Sequence, residues 1–389
     1  MTKEQNKKAP NLRFKGFTND WEQRKLGEVF LYKQGIQVPV EQQYSQKLPG
    51  LIRFIRISDI VSSNEPPRFI NYHGTNLIKP DDLFMVRYGN PGMISMGYSG
   101  VIANNLFRLI PKKNIYTLFF YFLLIFENKR LNLLVSNTTM PALSFKALDT
   151  FYVNFPEKLS EQKVIGSLLK KLDSLITLQQ RKLELLKEIK KGLLQKMFAD
   201  KSNFPILRFE GFHAEWEQRK LGEVIELEDN KRKPVKASKR IPGNIPYYGA
   251  NGIQDYVKGY THTGEHVLVA EDGANSISNY PVYFICSPSW INNHSHVLTG
   301  KGSIISNKFL TYNLKTVPYA NYLVGSGRYK LNAETLKIIP IKLPLLTEQN
   351  YIGSTLSKID KLITLQQRKY NSFRTIIPLM LANENFFVI

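Results

Sequence analysis

Nine residues, WEQRKLGEV, run from Trp21 to Val29 and again from Trp216 to Val224, about 195 positions later. The flanks agree too: Leu12-Arg13-Phe14 and Gly16-Phe17 precede the first copy as Leu207-Arg208-Phe209 and Gly211-Phe212 precede the second. A longer phrase is also doubled. LSEQKVIGSLLKKLDSLITLQQRK, from Leu159 to Lys182, returns as LTEQNYIGSTLSKIDKLITLQQRK, from Leu346 to Lys369, with ITLQQRK unbroken in both. Each half therefore reads as opening phrase, variable body and closing phrase. At 389 residues the chain is long for one core and comfortable for two.

The closing phrases are read as helices. Ser160 followed by Glu161-Gln162, and Thr347 by Glu348-Gln349, suit a capped amino end. Apolar residues then recur at Ile165, Leu169, Leu172, Ile176, Leu183, Leu186, Leu193 and Met197, with Gln179 in register. The second copy keeps the pattern through Ile352, Leu356, Ile359, Ile363 and Gln367 and becomes irregular near Pro378. This three-four spacing is a coiled-coil seam, so the two long helices are expected to pack on each other.

The bodies, residues 28–155 and 223–343, carry short β-type runs between turns, such as Leu51-Ile52-Arg53-Phe54-Ile55-Arg56-Ile57 and His266-Val267-Leu268-Val269-Ala270. They barely match each other, yet a skeleton survives: Gly89 with Gly273, Asn104-Asn105 with Asn292-Asn293, Leu143 with Leu331 and Leu148 with Leu336. One fold with two different surfaces is expected.

With 53 Lys+Arg against 32 Asp+Glu the formal charge is +21, a surplus that points to a polyanionic partner. A membrane is the weaker option, because the most apolar run, YTLFFYFLLIF from Tyr116 to Phe126, is too short to span and reads as a buried helix. The amino terminus MTKEQNKKAP lacks the apolar core of a secretion signal, and a solitary Cys286 forms no internal disulfide, so a cytoplasmic location is expected.

A repeated frame with divergent basic bodies is the pattern of two reading heads on one scaffold. If the helices pair antiparallel, an approximate two-fold axis relates the heads and can coincide with a dyad of duplex DNA. The heads differ, so a split, non-palindromic target follows. A continuous helix from Ser160 to Phe198 would measure roughly 58 Å at about 1.5 Å per residue, enough to hold the heads about one DNA turn, some 34 Å, apart. Helix length is then the ruler that sets the spacer.

The ordered set of WEQRKLGEV, the two closing phrases, YYGANGIQDYV (Tyr247 to Val257) and NNHSHVL (Asn292 to Leu298) resembles the specificity subunit of type I restriction-modification enzymes over nearly the whole chain. The resemblance implies an α+β architecture, with two globular mixed α/β target-recognition domains joined by two long helices in an antiparallel coiled coil, pseudo-two-fold symmetric. It places a first target-recognition domain at residues 1–158, a central conserved helix at 159–200, a second domain at 201–345 and a carboxy-terminal conserved helix at 346–389. It implies a non-catalytic reader of double-stranded DNA carrying two methyltransferase subunits, joined by restriction/translocase subunits. No cofactor is expected in this chain: S-adenosylmethionine belongs with the methyltransferase, ATP and magnesium with the motor-nuclease.

The residues agree that chemistry is sparse. Asn64-Glu65-Pro66-Pro67-Arg68 has the wrong first and last residues for an amino-methyltransferase loop, no Gly-x4-Gly-Lys-Ser/Thr loop is present, and Gly325-Ser326-Gly327 is a lone Gly-x-Gly. His262, His266, His294 and His296 have a spacing that could hold zinc, but ordinary hydrogen-bonded histidines are commoner and no metal is assigned. Asp81-Asp82 and Glu271-Asp272 could suggest a magnesium nuclease, though neither precedes a suitably spaced Glu-x-Lys, and turn or cap roles are preferred.

Loop residues able to match base edges are the DNA-contact candidates. In the first body they are Arg87, Tyr88 and Asn90 beside Gly89, then Asn104, Asn105, and Asn137, Thr138, Thr139 after Ser136. In the second they are Tyr248, Asn251, Glu271, Asp272, Asn275, Asn292, Asn293, His294, Ser326, Arg328, Tyr329 and Lys330. Lys231, Arg232 and Lys233, with Lys236, Lys239 and Arg240 nearby, are candidates for clamping phosphates, whereas Lys187-Glu188-Ile189-Lys190-Lys191 reads as a solvated helix face. For each loop position the plain alternative is a turn residue satisfying the backbone. Two other readings of the whole chain stay open: a DNA-acting enzyme with its own site in one body, and a coiled-coil scaffold that binds RNA nonspecifically.

Overall fold

The computed structural model describes residues 13–61, 65–136, 139, 141–200, 202–325 and 329–381, with side chains as far as residue 375. Leu12, Asn64, Asn137, Thr138, Ser326, Gly327 and Arg328, all used above, lie outside the described residues, as does the amino-terminal MTKEQNKKAP. The chain divides into two compact units: residues up to Gln179 with those from Lys369 onward, and Gln180–Arg368. The division falls inside the long helices, so each unit owns part of both.

The first unit carries β1 (Glu22–Lys25), β2 (Phe30–Gln34), β3 (Leu51–Ile55), β4 (Arg68–Asn71), β5 (Leu83–Val86), β6 (Ile94–Ser95), β7 (Val101–Ile102), β8 (Leu106–Pro111) and β9 (Tyr152–Phe155). They form a four-stranded sheet in the order β2-β8-β5-β6, a three-stranded sheet β4-β3-β7 and the pair β1-β9. Helix α1 (Thr117–Phe126) is the apolar run of the sequence, and its Phe119, Phe120, Phe122, Leu123 and Leu124 are buried. They share a core with Trp21, Leu26, Phe107 and Phe155.

The second unit repeats this plan. Its strands are β10 (Glu217–Lys220), β11 (Ile225–Leu227), β12 (Pro242–Gly249), β13 (Gly252–Val257), β14 (His266–Ala270), β15 (Val282–Ile285), β16 (Trp290–Ile291), β17 (Ser295–Gly300) and β18 (Pro340–Leu343). The sheets run β11-β17-β14-β15, β13-β12-β16 and β10-β18. Position for position this is the order of the first unit, down to the parallel pairing of β3 with β7 and of β12 with β16. The register corrects one sequence match. Leu83 faces Leu109 and Val267 faces Leu298, so Asn104-Asn105 correspond to Asn293-His294, one residue beyond the Asn292-Asn293 expected from letters alone.

The doubled opening phrase explains itself locally. In each copy EQRK is a strand and LGEV one helical turn, whose Leu and Val are buried. Trp21 and Trp216, just before the strands, are 3% and 2% exposed. Between them, the two strands tie the start of each unit to its end, Glu22 opposite Phe155 and Glu217 opposite Leu343.

The closing phrases form α2 (Leu159–Lys196) and, after α3 (Asn307–Leu314), α4 (Leu346–Leu381). Both begin one residue earlier than the capping pattern suggests, so Ser160 and Thr347 sit inside the first turn rather than at the cap. Their neighbours have a tertiary task instead. Glu161 is 1% exposed and takes a two-toothed grip from Arg13, at 2.6 Å and 2.8 Å; Glu348, also 1% exposed, takes the same from Arg208, at 2.8 Å twice. Fully buried Gln162 accepts from the Tyr116 N–H and donates to Asn114 O and Pro156 O, while Gln349 accepts from the Ser306 N–H and donates to Ile304 O and Pro344 O. Gly166 and Gly353 complete the match: a Cβ there would stand 3.0 Å from Phe119 N and 2.9 Å from Phe309 N, so any larger residue would push the long helix away from the start of α1 or α3.

Along α2 the seam is visible as burial, with Ile165, Leu169 and Leu183 buried, Leu172, Ile176, Gln179, Leu186 and Leu193 half-buried, and Met197 buried just past the helix end. Within the second unit the two helices run antiparallel. Lys190 of α2 pairs with Asp360 of α4, and farther along the chain Leu193 of α2 and Met197, just past its end, share a core with Ile352 and Leu356, which lie earlier in α4. Lys190 is thus half-buried and paired, not part of a fully solvated face. The helix continues through Pro378, where the sequence pattern is irregular.

Candidate nucleic-acid interface

Three segments meet at one end of the central strands β5 and β8 of the first unit's four-stranded sheet. The loop after β5 begins at Arg87, whose N–H donates to Asn105 O at 2.8 Å and whose carbonyl accepts from the Leu143 N–H at 3.1 Å. Tyr88 forms a bridge to Ala142. This joins the segment Arg87–Asn90, the turn Asn104-Asn105 and the end of the 136–143 loop. Gly89 adopts φ +91°, the left-handed turn that lets the chain leave the strand.

The same meeting occurs in the second unit. The Glu271 N–H donates to His294 O at 2.9 Å, Glu271 O accepts from Leu331 at 2.8 Å, Asp272 bridges to Lys330, and Gly273 has φ +76°. The loop after β14, the turn before β17 and the segment ending in Tyr329-Lys330 are therefore brought together as their counterparts are.

Side chains differ across this shared backbone. In the first unit Arg87 donates to Gln34 Oε1 at 2.8 Å, and its guanidinium lies 5.0 Å and 4.8 Å from the Tyr88 and Phe145 ring centres. Gln34 also donates to Asn104 O, and Asn104 donates to Gln37 at 3.4 Å. Arg87 Nε and Asn105 Oδ1 are buried with no hydrogen-bond partner among the described residues, which leaves a donor and an acceptor unused. Asn90, Asn104 and Thr139 are exposed. Gln34 and Gln37 were absent from the sequence candidates, since they stand at a strand end far upstream of the loops they serve.

The second unit is an ion-pair network. Arg232 donates to Glu271 Oε2 at 2.7 Å and Ser295 O at 2.8 Å and lies 3.2 Å from Asp229, while Lys330 stands 3.3 Å from Glu271. Arg232 is therefore committed within the protein; Lys231 is exposed but pairs with Glu228, and Lys233 is exposed. Burial pushes the Asp229 carboxyl up, but its bond to His296 at 2.6 Å, that ring's charge, the Val297 N–H and Arg232 outweigh this and hold it below the usual range. Asn251 donates to Gly273 O and accepts from the Asn275 N–H, and buried Asn292 accepts from the His294 N–H: these two brace turns. Tyr248 is half-buried and packs with Leu268 and Ile291, while Asn275, Asn293, Tyr329 and Lys330 are exposed. His294 stands 3.7 Å from Asp272.

The four clustered histidines are not one ligand set. Both ring nitrogens of His262 bond internally, to Thr261 Oγ1 and Glu228 O, as do those of His266, to Thr299 Oγ1 and Thr263 O, and those of His296, to Asp229 and Leu331 O. Burial lowers the His262 pKa, so its neutral form is favoured. Asp229, Glu271 and His296 do bring ligand-type atoms within 4.8 Å of one another, but Arg232 already supplies the countercharge there. Asp82 has the turn role expected of it, accepting from the Lys79 N–H at 2.7 Å and pairing with Arg108 at 2.7 Å. No described helix is long and apolar enough to cross a membrane.

Comparison with known proteins agrees with this duplicated plan. The model of the type I restriction modification DNA specificity domain matches twice, over residues 18–188 and 213–373. A Haemophilus influenzae protein named as a type I restriction enzyme specificity subunit is 42% identical over 180 residues, 42% of this chain and 46% of that protein, so this alignment spans less than half of that relative's length. The MjaVIII specificity subunit of Methanocaldococcus jannaschii is 23% identical over 90% of this chain and 88% of its own. A crystal structure of the type I restriction-modification S subunit from M. genitalium has the same fold, with a TM-score of 0.73 at 16% identity over 97% of this chain and 100% of that one. With two matches covering most of its length, the chain belongs to the type I restriction modification DNA specificity family, whose role is to specify DNA and not to catalyse.

Proposed function

We propose that this chain reads a bipartite, non-palindromic DNA site, one half through each unit, and scaffolds two methyltransferase subunits. The observation that carries this reading is a single backbone arrangement with unlike chemistry: the converging loops present Arg87 with Gln34 and Asn104 in one unit, and Glu271 with Lys330 and His294 in the other. Identical readers would select a palindrome; unlike readers on equivalent frames select two different half-sites.

Within this reading Arg87, Tyr88, Asn90, Asn104, Asn105 and Thr139 face the first half-site. Asp272, Asn275, Asn293, His294, Tyr329 and Lys330 face the second, with Lys231 and Lys233 on phosphates and Glu271 held by Arg232. The duplicated stretch LITLQQRK, Leu175 to Lys182 and Leu362 to Lys369, bears the partners. Leu175 and Leu178 on α2 are 42% and 58% exposed, and their counterparts Leu362 and Leu365 on α4 are 52% and 53% exposed. Large apolar side chains repeated at matching places on two helices suit two copies of one partner. Those subunits would bring S-adenosylmethionine, and a restriction/translocase subunit ATP and magnesium, in a cytoplasmic complex. The two conserved helices set the spacer between half-sites.

Selection of sites from random duplexes by the chain with its methyltransferase tests this. Two unlike half-sites at fixed spacing are expected, with affinity falling steeply as salt rises. A palindromic consensus, turnover by the chain alone, or equal competition by RNA would overturn it.

A further inference from the structure

In the second unit a cavity of about 150 Å3 opens beside Tyr247, which points away from the small core that its neighbour Tyr248 joins with Leu268, Ile291 and Val297. Its walls are fixed. Tyr247 Oη accepts the Val235 N–H at 3.0 Å, and Trp290 Nε1 donates to Lys233 O at 2.8 Å. The two rings lie 6.5 Å apart at 25°. Arg240 lies with its guanidinium carbon 4.0 Å from the Tyr247 ring centre, held by Val235 O at 3.1 Å and Asp255 at 3.3 Å. Val257 and Ile241 close the apolar side, and Lys239 and Lys258 line the rest.

The matching face of the first unit is filled. By register Phe54 and Val101 stand where Tyr247 and Trp290 do, and Ile70 where Val257 does. There Phe54, Ile70 and Val101 form a buried cluster with Ala103, covered by Ile36, Val38 and Tyr72. The second unit has thus exchanged a closed apolar cluster for an aromatic slot rimmed with cations.

That chemistry selects its ligand. Flat apolar walls with an indole and a stacked guanidinium favour a planar ring. Lys239 and Lys258 are exposed and have no acidic partner among the described residues, so an attached anion suits them. The volume is below the ≈ 300 Å3 at which sites for drug-sized ligands begin, which admits one ring system with its anion outside. We propose that this cavity is a mononucleotide site, with the base against Trp290 and the Arg240–Tyr247 pair and the phosphate at Lys239 and Lys258. A free nucleotide and an unstacked nucleotide of DNA share this chemistry, and either goes beyond reading bases in a groove.

The test titrates the full chain with adenosine monophosphate, inorganic phosphate and a short oligothymidylate, following tryptophan fluorescence and calorimetry. Saturable binding of the monophosphate identifies a free-nucleotide site. Binding of the oligonucleotide alone identifies a DNA nucleotide. In either case Lys239→Glu with Lys258→Glu should weaken binding about tenfold, and Trp290→Ala likewise. Trp290→Phe should keep binding in calorimetry while removing the fluorescence change, which separates loss of contact from loss of fold. The proposal fails if neither ligand binds saturably, if phosphate alone competes as well as the nucleotide, or if the charge-reversed chain binds both unchanged.

Discussion

Arg87 and Glu271 occupy one position of a repeated backbone. Each donates its N–H to the turn before the next long strand, at Asn105 O or His294 O, and each offers its carbonyl to a fully buried leucine, Leu143 or Leu331. The backbone is conserved between the units while the charge is inverted, from a guanidinium to a carboxylate. Two recognition surfaces on one chassis would differ in this way.

Substituting either residue should therefore affect only its own half of the DNA target. Arg87→Ala is expected to cost about 1–3 kcal/mol at one base pair of the first half-site and relax selection there. Glu271→Gln is expected to act on the second half alone. Site selection with each variant checks this; a change spreading to both halves contradicts it.

The paired clamps Arg13–Glu161 and Arg208–Glu348 make a stability prediction. Each carboxylate is nearly inaccessible, so truncating the arginine strands a buried charge at a cost of about 3 kcal/mol. Urea denaturation of Arg13→Ala and Arg208→Ala should show comparable losses. A negligible loss in either would mean the ion pair is incidental.

How much of this was legible beforehand follows from what repeats. The opening and closing phrases, the helical seams and the apolar α1 were readable because periodicity and duplication survive without tertiary knowledge. The roles of Glu161 and Gln162 were not: they resemble ordinary first-turn residues, and only the fold brings Arg13 and Tyr116 to them. Arg232 looked like a phosphate clamp because sequence shows a charge run but not that Glu271 and Asp229 lie beside it. Asn251 and Asn292, candidates for base contact, turned out to brace turns. That the loops converge was not legible either: in sequence they are separate turns, and only the fold brings Arg87 beside Asn105 and Glu271 beside His294.

A pH effect follows from Lys315, packed near Tyr312, Lys190 and Asp360. Burial and the nearby Lys190 push it down to about 8 from 10.5, with Asp360 opposing. Below about pH 8 both folded and unfolded chains carry the proton, and the burial penalty is felt in full. Between pH 8 and 10.5 the folded chain releases it first, so stability from this group rises with pH. Lys315→Met should be more stable than the parent at pH 7 and lose the advantage by pH 10. Thermal midpoints that stay parallel across this range would contradict it.

The exposed leucines predict stoichiometry. Leu175→Glu with Leu178→Glu should remove one methyltransferase subunit and leave one, and Leu362→Glu with Leu365→Glu should do the same. Native mass spectrometry of the purified complex reads the count directly. Retention of two subunits in both variants would place the docking surface elsewhere.

The most direct measurement is methylome sequencing of cells that express this chain with a type I methyltransferase subunit, the partner proposed above, repeated after residues 223–343 are replaced by the body of a relative. The expected result is a split, asymmetric methylated sequence in which the exchange rewrites one half and leaves the other half and the gap intact. A palindromic motif, or an exchange that alters both halves together, would contradict the claim that each unit reads its own stretch of DNA.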